Sequence, residues 1–151
     1  MISLADVRAA QERIRPYVKR TSTIRSRTLG EMLGTNVYLK LESFQTTGAF
    51  KVRGAFNKML CELDAARKGG VVAVSGGNHA QAVAYAGKLL GCRTVILTLR
   101  TTPRNYLDAT RGYGAELVLF DDISQAFAKA HDYVREGMLF VHPFDDPLVM
   151  A

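Results

Sequence analysis

Short apolar runs alternate with longer stretches of helical periodicity along most of the chain. The apolar runs predict β-strands at residues 36–42, 71–74, 94–99, 116–120 and 139–141. The periodic stretches predict helices at residues 4–17, 51–63, 78–90, 103–113 and 123–135. Gly91 is placed to end the third of these helices, and Pro103 suits the first position of the fourth.

The regular exchange of strand and helix indicates an α/β fold. Short strands that are apolar throughout are typical of a parallel sheet covered by helices on both faces. We expect each crossover between neighbouring parallel strands to be right-handed. The last predicted strand is followed by a turn-rich stretch, His142–Pro147, and the chain stops at Ala151 with no recognisable helix cap, as expected for a truncated sequence.

Composition narrows the choice of partners. The 151 residues carry a net charge of +6, but the basic residues are scattered, and the densest stretch, Arg8–Arg27, is interrupted by apolar residues. This distribution argues against nucleic-acid binding and suits a small anionic ligand. The N-terminus lacks a long apolar run, so neither a signal peptide nor a membrane span is predicted.

The metal-binding residue types do not form a recognisable pattern. Cys61 and Cys92 lack ligand spacing and are interpreted as reduced, partly buried thiols of a cytoplasmic protein. His79, His131 and His142 are far apart in sequence and have no cysteine or carboxylate partners at ligand spacing. No metal site is predicted.

The first candidate for chemistry is the segment Thr47–Gly54. Gly48 permits an unusual backbone turn, which would place Lys51 at or near a helix N-terminus. The positive end of the helix dipole disfavours an ammonium group there, and a lysine nucleophile must be neutral to attack a carbonyl. The alternative is an ordinary surface lysine on an amphipathic helix.

The second candidate is the segment Val74–Gln81, which joins a predicted strand to a predicted helix. Small residues before a helix leave backbone N–H groups free for an anion, and Ser75 and Asn78 add side-chain donors. The alternative is a plain glycine turn in which Asn78 caps the helix. Neither the dinucleotide fingerprint nor the phosphate-binding P-loop motif is present.

The remaining polar residues favour structural roles. The Asp121–Asp122 pair is expected to start the helix near Ile123, and the Asp145–Asp146 pair is expected to lie in a turn. His142 is interpreted as structural, and Arg53 as an ion-pair or packing residue.

Taken together, the motifs resemble the serine/threonine dehydratase group (threonine ammonia-lyase-like) of fold-type-II enzymes that use pyridoxal 5'-phosphate (PLP). The resemblance covers the N-terminal portion of such an enzyme, and it depends on several segments in the correct order. These are Arg20–Thr21, Val37–Glu42, Gly48–Gly54, Ser75–Gln81, Thr102–Pro103, Tyr113–Glu116 and His142–Pro147.

The resemblance implies a site. Lys51, which follows a Gly-x-Phe pattern, would bind PLP covalently, and its freed amine would remove the Cα proton of L-threonine or L-serine. Phe50 would pack beside the cofactor, and Asn78 would hydrogen-bond its ring oxygen. The loop that holds the substrate carboxylate corresponds to Ser75, Gly77, Asn78 and His79. The products would be a 2-oxo acid and ammonia.

The resemblance also implies how the chain is divided. Residues 1–50 would be a remnant of the larger PLP domain, residues 51–145 the smaller α/β domain, and residues 146–151 the start of the return into the larger domain. The fold would be the N-terminal part of the tryptophan-synthase-β-like architecture. The phosphate-gripping loop of the family has no counterpart here, so a complementing C-terminal half or a homo-oligomer is an expected partner.

Two other functions stay open. The chain could be a non-catalytic remnant or an α/β module that binds a partner. It could also be a serine racemase or another PLP lyase of the same family. Racemases of the family carry a serine where this chain has Gly76, and glycine has no proton to donate, so negligible racemase activity is predicted.

Overall fold

A computed structural model describes residues 1–151. Eight α-helices are present: α1 Leu4–Ile14, α2 Arg27–Leu33, α3 Lys51–Cys61, α4 Leu63–Gly69, α5 Asn78–Leu90, α6 Arg104–Gly112, α7 Ile123–Arg135 and α8 Pro147–Met150. Six strands accompany them: β1 Thr23–Ser26, β2 Val37–Lys40, β3 Val71–Val74, β4 Thr94–Leu99, β5 Glu116–Phe120 and β6 Leu139–Phe140. A 3-10 turn spans Glu42–Phe44.

The main sheet is parallel, as predicted, and has the order β5-β4-β3-β6. From β3 the chain moves outward to β4 and β5, and it then returns to pair β6 with the other edge of β3. The direction of winding therefore reverses between β3 and β6. In open α/β sheets the crevice outside the carboxyl ends of the strands at such a reversal is the usual place for a ligand.

Two hydrophobic clusters cover the two faces of this sheet. Val71, Ala73 and Ile96 belong to the larger cluster, which includes the buried faces of α3 and α5. Their neighbours Val72 and Val95 belong to the smaller cluster, which α7 closes with Ala126 and Ala130. The alternation along each strand confirms helices on both faces of an α/β sheet.

The N-terminal part adds a helix and a small sheet. Helix α1 packs on α3, and β1 pairs with β2 in an antiparallel sheet that is separate from the main one. Strand β1 and helix α2 were not predicted. Their apolar residues, such as Ile24 and Met32, are exposed, so the segment lacks the pattern of a buried element. No helix of the structure combines the length and apolarity that crossing a bilayer requires.

The C-terminal stretch forms a structured contact with α3. The turn-rich stretch before Pro147 is present as predicted, but the expectation of an end without a helix cap is wrong, because the Asp146 side chain accepts from the Leu148 N–H and caps the one-turn helix α8. Asn57 of α3 donates from its side chain to the Leu148 carbonyl at 2.7 Å, and Lys58 pairs with Asp146 at 3.0 Å. At Gly54 a Cβ would stand 2.2 Å from the Val149 carbonyl oxygen, so glycine permits the close approach.

We predict that Gly54→Ala destabilises the fold by about 1–3 kcal/mol, because the added methyl group forces α8 away from α3. Gly112→Ala is the matched control. A Cβ at Gly112 meets no atom within 4 Å, and alanine is the better helix former, so stability should hold or rise slightly. Urea unfolding of both variants measures the difference, and equal midpoints would contradict the close packing of α8.

Candidate active site

The predicted site residues lie where β3 and β6 end, at the reversal of the sheet. The segment Ser75–His79 follows β3 directly, and His142 and Pro143 follow β6. Lys51 reaches the same place from the first position of α3, as the sequence predicted. Three elements that are distant in sequence therefore meet at the location where open α/β sheets bind ligands.

Lys51 is held at this edge by its own hydrogen bond. Its Nζ donates to the Pro143 carbonyl oxygen at 2.6 Å, and it lies 5.3 Å from the centre of the Phe50 ring. Phe50 is 58% exposed, so its ring offers a free apolar face beside the amine. Gly48 adopts φ +70, the left-handed conformation that turns the loop into α3, as its position in the sequence suggested.

Polar contacts hold the loop that precedes Lys51. Arg53 forms a two-pronged ion pair with Glu42, with N···O distances of 2.7 and 2.9 Å, which confirms the ion-pair interpretation of Arg53. This hydrogen bond lowers the pKa of Glu42. Buried Gln45 accepts from the Lys19 N–H and donates to the Lys19 carbonyl. No sequence motif points to Glu42 or Gln45 as part of the site, because their partners Arg53 and Lys19 lie 11 and 26 residues away in sequence.

The second predicted segment forms the entry to α5. Gly77, not Asn78, occupies the N-cap position, so the alternative in which Asn78 caps the helix does not hold. Asn78 is the first helical residue, and its side chain is exposed. The Gly77 N–H donates to Ser75 Oγ at 3.2 Å. No side chain caps this helix, so its first N–H groups remain free to bind an anion.

His79 is buried, and its ring faces the end of β6. Its Nε2–H donates to the Val141 carbonyl oxygen at 2.9 Å, while its Nδ1 has no hydrogen-bond partner. Burial lowers the pKa of His79 to about 4, and the nearby charges of Lys51 and His142 act in the same direction. The imidazole is therefore neutral, and only the backbone of His79 remains available to an anion at the helix start.

The remaining candidates have structural roles. His142 Nδ1 accepts from the backbone N–H of Phe144 and Asp145. Asp122 caps α7, as predicted for the first acidic pair. Cys61 is exposed and only Cys92 is buried, which corrects the expectation of two partly buried thiols. His, Cys, Asp and Glu residues do not gather in groups of three or more that could hold a metal ion.

The arrangement fits a carbonyl cofactor with an anionic substrate. Lys51 provides an amine beside an exposed aromatic ring, and α5 provides an uncapped N-terminus. A Cβ at Gly77 would meet no atom within 4 Å, so space is open above this turn. A wide surface concavity lies elsewhere, between Arg25 and Asn36, and contains no predicted site residue.

The chain belongs to the family of pyridoxal-phosphate dependent enzymes, which residues 14–151 match. It is 44% identical over 155 residues to an L-threonine ammonia-lyase of Geobacter sulfurreducens, and 41% identical to one of Thermotoga maritima. Both matches take in 100% of this chain and 38% of the relative. The chain thus spans about two fifths of the length of these curated relatives.

Superposition on solved structures supports membership of the same family. The T.th. threonine deaminase superposes with a TM-score of 0.83 and 40% identity, over 97% of this chain and 47% of that chain. Maize serine racemase superposes with a TM-score of 0.90 and 33% identity, over 98% of this chain and 46% of that chain. The resemblance, the fold class and the cofactor class predicted from the sequence are therefore confirmed.

We predict that stability falls as pH drops from about 6.5 to about 4, because the unfolded chain protonates His79 while the folded chain keeps it neutral. The stabilisation by neutral His79 is fully present above the ordinary histidine pKa of 6.5. Its complete loss lowers the free energy of unfolding by about 3 kcal/mol. Urea unfolding at pH 7.5 and 4.5 measures it.

His79→Gln is the control for this pH dependence. Glu42 destabilises both proteins at low pH in the same way, so the difference between the two proteins reports His79 alone. Identical losses in the wild type and the variant would contradict the burial of a neutral imidazole.

Proposed function

We propose that this chain provides the lysine-bearing part of an enzyme that dehydrates and deaminates L-threonine or L-serine to a 2-oxo acid and ammonia. The observation that carries the proposal is the position of the Lys51 amine at the reversal between β3 and β6. Relatives named as L-threonine ammonia-lyases favour this reaction over others of the family.

Lys51 has two roles in this proposal. Its Nζ would bind the cofactor, and after the substrate amine has displaced it, the same atom would accept the Cα proton as a general base. When bound, pyridoxal phosphate supplies an electron-withdrawing ring that stabilises negative charge at Cα. The β-hydroxyl would then depart as water together with the proton taken from Cα, and hydrolysis of the product would yield the 2-oxo acid and ammonium. The exposed ring of Phe50 would pack beside the cofactor.

The start of α5 would bind the substrate carboxylate. Its free N–H groups and the positive end of the helix dipole favour an anion, and Ser75 Oγ lies within the same turn. Gly77, Asn78 and His79 would contribute through their backbone N–H groups, and the exposed Asn78 side chain would reach the cofactor ring oxygen. The neutral imidazole of His79 would add no charge to this binding site.

The remaining parts of the site would come from a second polypeptide segment. Residues 51–145 would form the small domain, residues 1–50 a piece of the large domain, and residues 146–151 the return toward it. Exposed apolar residues of the N-terminal part, among them Met32, Leu33 and Tyr38, would pack against a complementing C-terminal half. Association of identical chains is the alternative. Two free cysteines suit a reducing, cytoplasmic setting.

A racemase is a weaker candidate. Gly76 has no side chain, and a Cβ there would stand 2.5 Å from Thr102 Oγ1 and 2.9 Å from Thr98 Oγ1. These two hydroxyls bond to each other at 2.9 Å and occupy the space that a side chain at position 76 would need. A non-catalytic, partner-binding module is the third candidate, and its sign would be a folded chain that never binds pyridoxal phosphate.

We predict that the chain, mixed with the part of the Geobacter sulfurreducens relative that follows the matched region, releases ammonia from L-threonine. Lys51→Ala should reduce the rate by about a thousandfold or more, because it removes both the cofactor attachment and the base. Lys88→Ala, which changes an exposed lysine on α5, is the control. Equal rates in the two variants would show that Lys51 is not the cofactor lysine.

We further predict that the same active mixture forms no detectable D-serine from L-serine, because position 76 has no group that could donate a proton from the opposite face. Chiral chromatography of the incubated substrate checks this prediction. D-serine formed at a rate comparable to ammonia release would favour the racemase assignment.

A further inference from the structure

Two side chains from different helices donate to the same short stretch of backbone. His79 Nε2 donates to the Val141 carbonyl oxygen at 2.9 Å, and Lys51 Nζ donates to the Pro143 carbonyl oxygen at 2.6 Å. The two carbonyl groups lie two residues apart on the segment that leaves β6. The amine and the imidazole therefore both bind the same backbone segment of three residues, Val141–Pro143.

The His79 contact lies where β3 and β6 separate. The paired positions of the two strands end at Val72 and Phe140, and the Val141 N–H still donates to the Val72 carbonyl. The carbonyl of Val141 then accepts from the imidazole and not from a backbone group of β3. The His79 side chain, at the start of α5, therefore replaces the next backbone hydrogen bond between β3 and β6. This contact lies at the opening of the crevice.

The segment beyond Val141 has little freedom to adjust independently. His142 Nδ1 accepts from the Asp145 N–H at 2.7 Å, which closes the loop on itself. Asp146 then caps α8 and pairs with Lys58 of α3 at 3.0 Å. A shift of the Val141 carbonyl would consequently carry the Pro143 carbonyl with it, and Lys51 would lose its present acceptor.

We infer that His79 is a positioning residue for Lys51. Its imidazole fixes the Val141–Pro143 backbone, to which the Lys51 amine is hydrogen-bonded. The inference builds on the proposed function, since it assigns Lys51 as the cofactor lysine. His79 acts through the main chain and does not touch the reacting atoms. Its buried ring, only 3% exposed, is the only side-chain donor that reaches the Val141 carbonyl.

Two substitutions separate the hydrogen bond from the volume of the ring. His79→Gln places an amide N–H close to the position of Nε2, whereas His79→Leu fills similar space and offers no donor. His131→Leu, at an exposed histidine of α7, is the control. Losing one buried donor should change the population of the native Lys51 position by about tenfold.

The test measures the reactivity of Lys51 relative to the other six lysines. Each variant is treated with trace acetic anhydride, and separately with pyridoxal phosphate followed by borohydride, and the modified peptides are quantified by mass spectrometry. His79→Leu should alter the relative acetylation of Lys51 and lower its selective labelling by pyridoxal phosphate about tenfold. His79→Gln should recover both to within about threefold, and His131→Leu should match the wild type.

The acetylation result is independent of the cofactor, so it separates failure of the inference from failure of the proposed function. Unchanged Lys51 reactivity in a folded His79→Leu protein would overturn the inference, and so would a His79→Gln protein as defective as His79→Leu. If His79→Leu does not fold, NMR of the wild-type imidazole decides. A protonated Nε2 coupled to the Val141 carbonyl supports the inference, and a protonated Nδ1 overturns it.

Discussion

The return of β6 to the free edge of β3 is the constraint on which the rest of the molecule depends. Because β3 has β4 on one side and β6 on the other, the chain must reverse its winding between them. That reversal opens a crevice at the carboxyl ends of the two strands. The segment Ser75–His79 follows the end of β3, and the segment Val141–Pro143 follows the end of β6. The pairing of β3 with β6 therefore positions both walls of the candidate site.

Helix α3 places the candidate lysine at that crevice. Its N-terminus carries Lys51, its middle is fixed by α8 through Gly54 and Asn57, and its outer side is held by the Arg53–Glu42 ion pair. The position of one amine therefore depends on contacts from both ends of the chain. The curated relatives extend well beyond the matched region, but the lysine that we propose as the nucleophile already has its position fixed within residues 1–151.

The sequence predicted those features that have a local cause. The bounds of β3, β4 and β5 match the structure because these strands are short, mostly apolar and alternate with helices. The start of α3 at Lys51 also matches, since Gly48 provides the turn. The structural features that were not predicted from the sequence have non-local causes. The small sheet and α2 expose their apolar residues, α8 depends on docking against Gly54, and the His79–Val141 hydrogen bond joins residues that are 62 positions apart.

Mapping where pyridoxal phosphate attaches to the unmodified chain tests directly whether Lys51 is the cofactor lysine. The purified protein is incubated with pyridoxal phosphate and reduced with borohydride, and mass spectrometry locates the modified lysines. We predict selective modification of Lys51 over the other six lysines, because the structure holds its amine at the open edge of the sheet. Modification spread evenly over the lysines, or absent from Lys51, would contradict it.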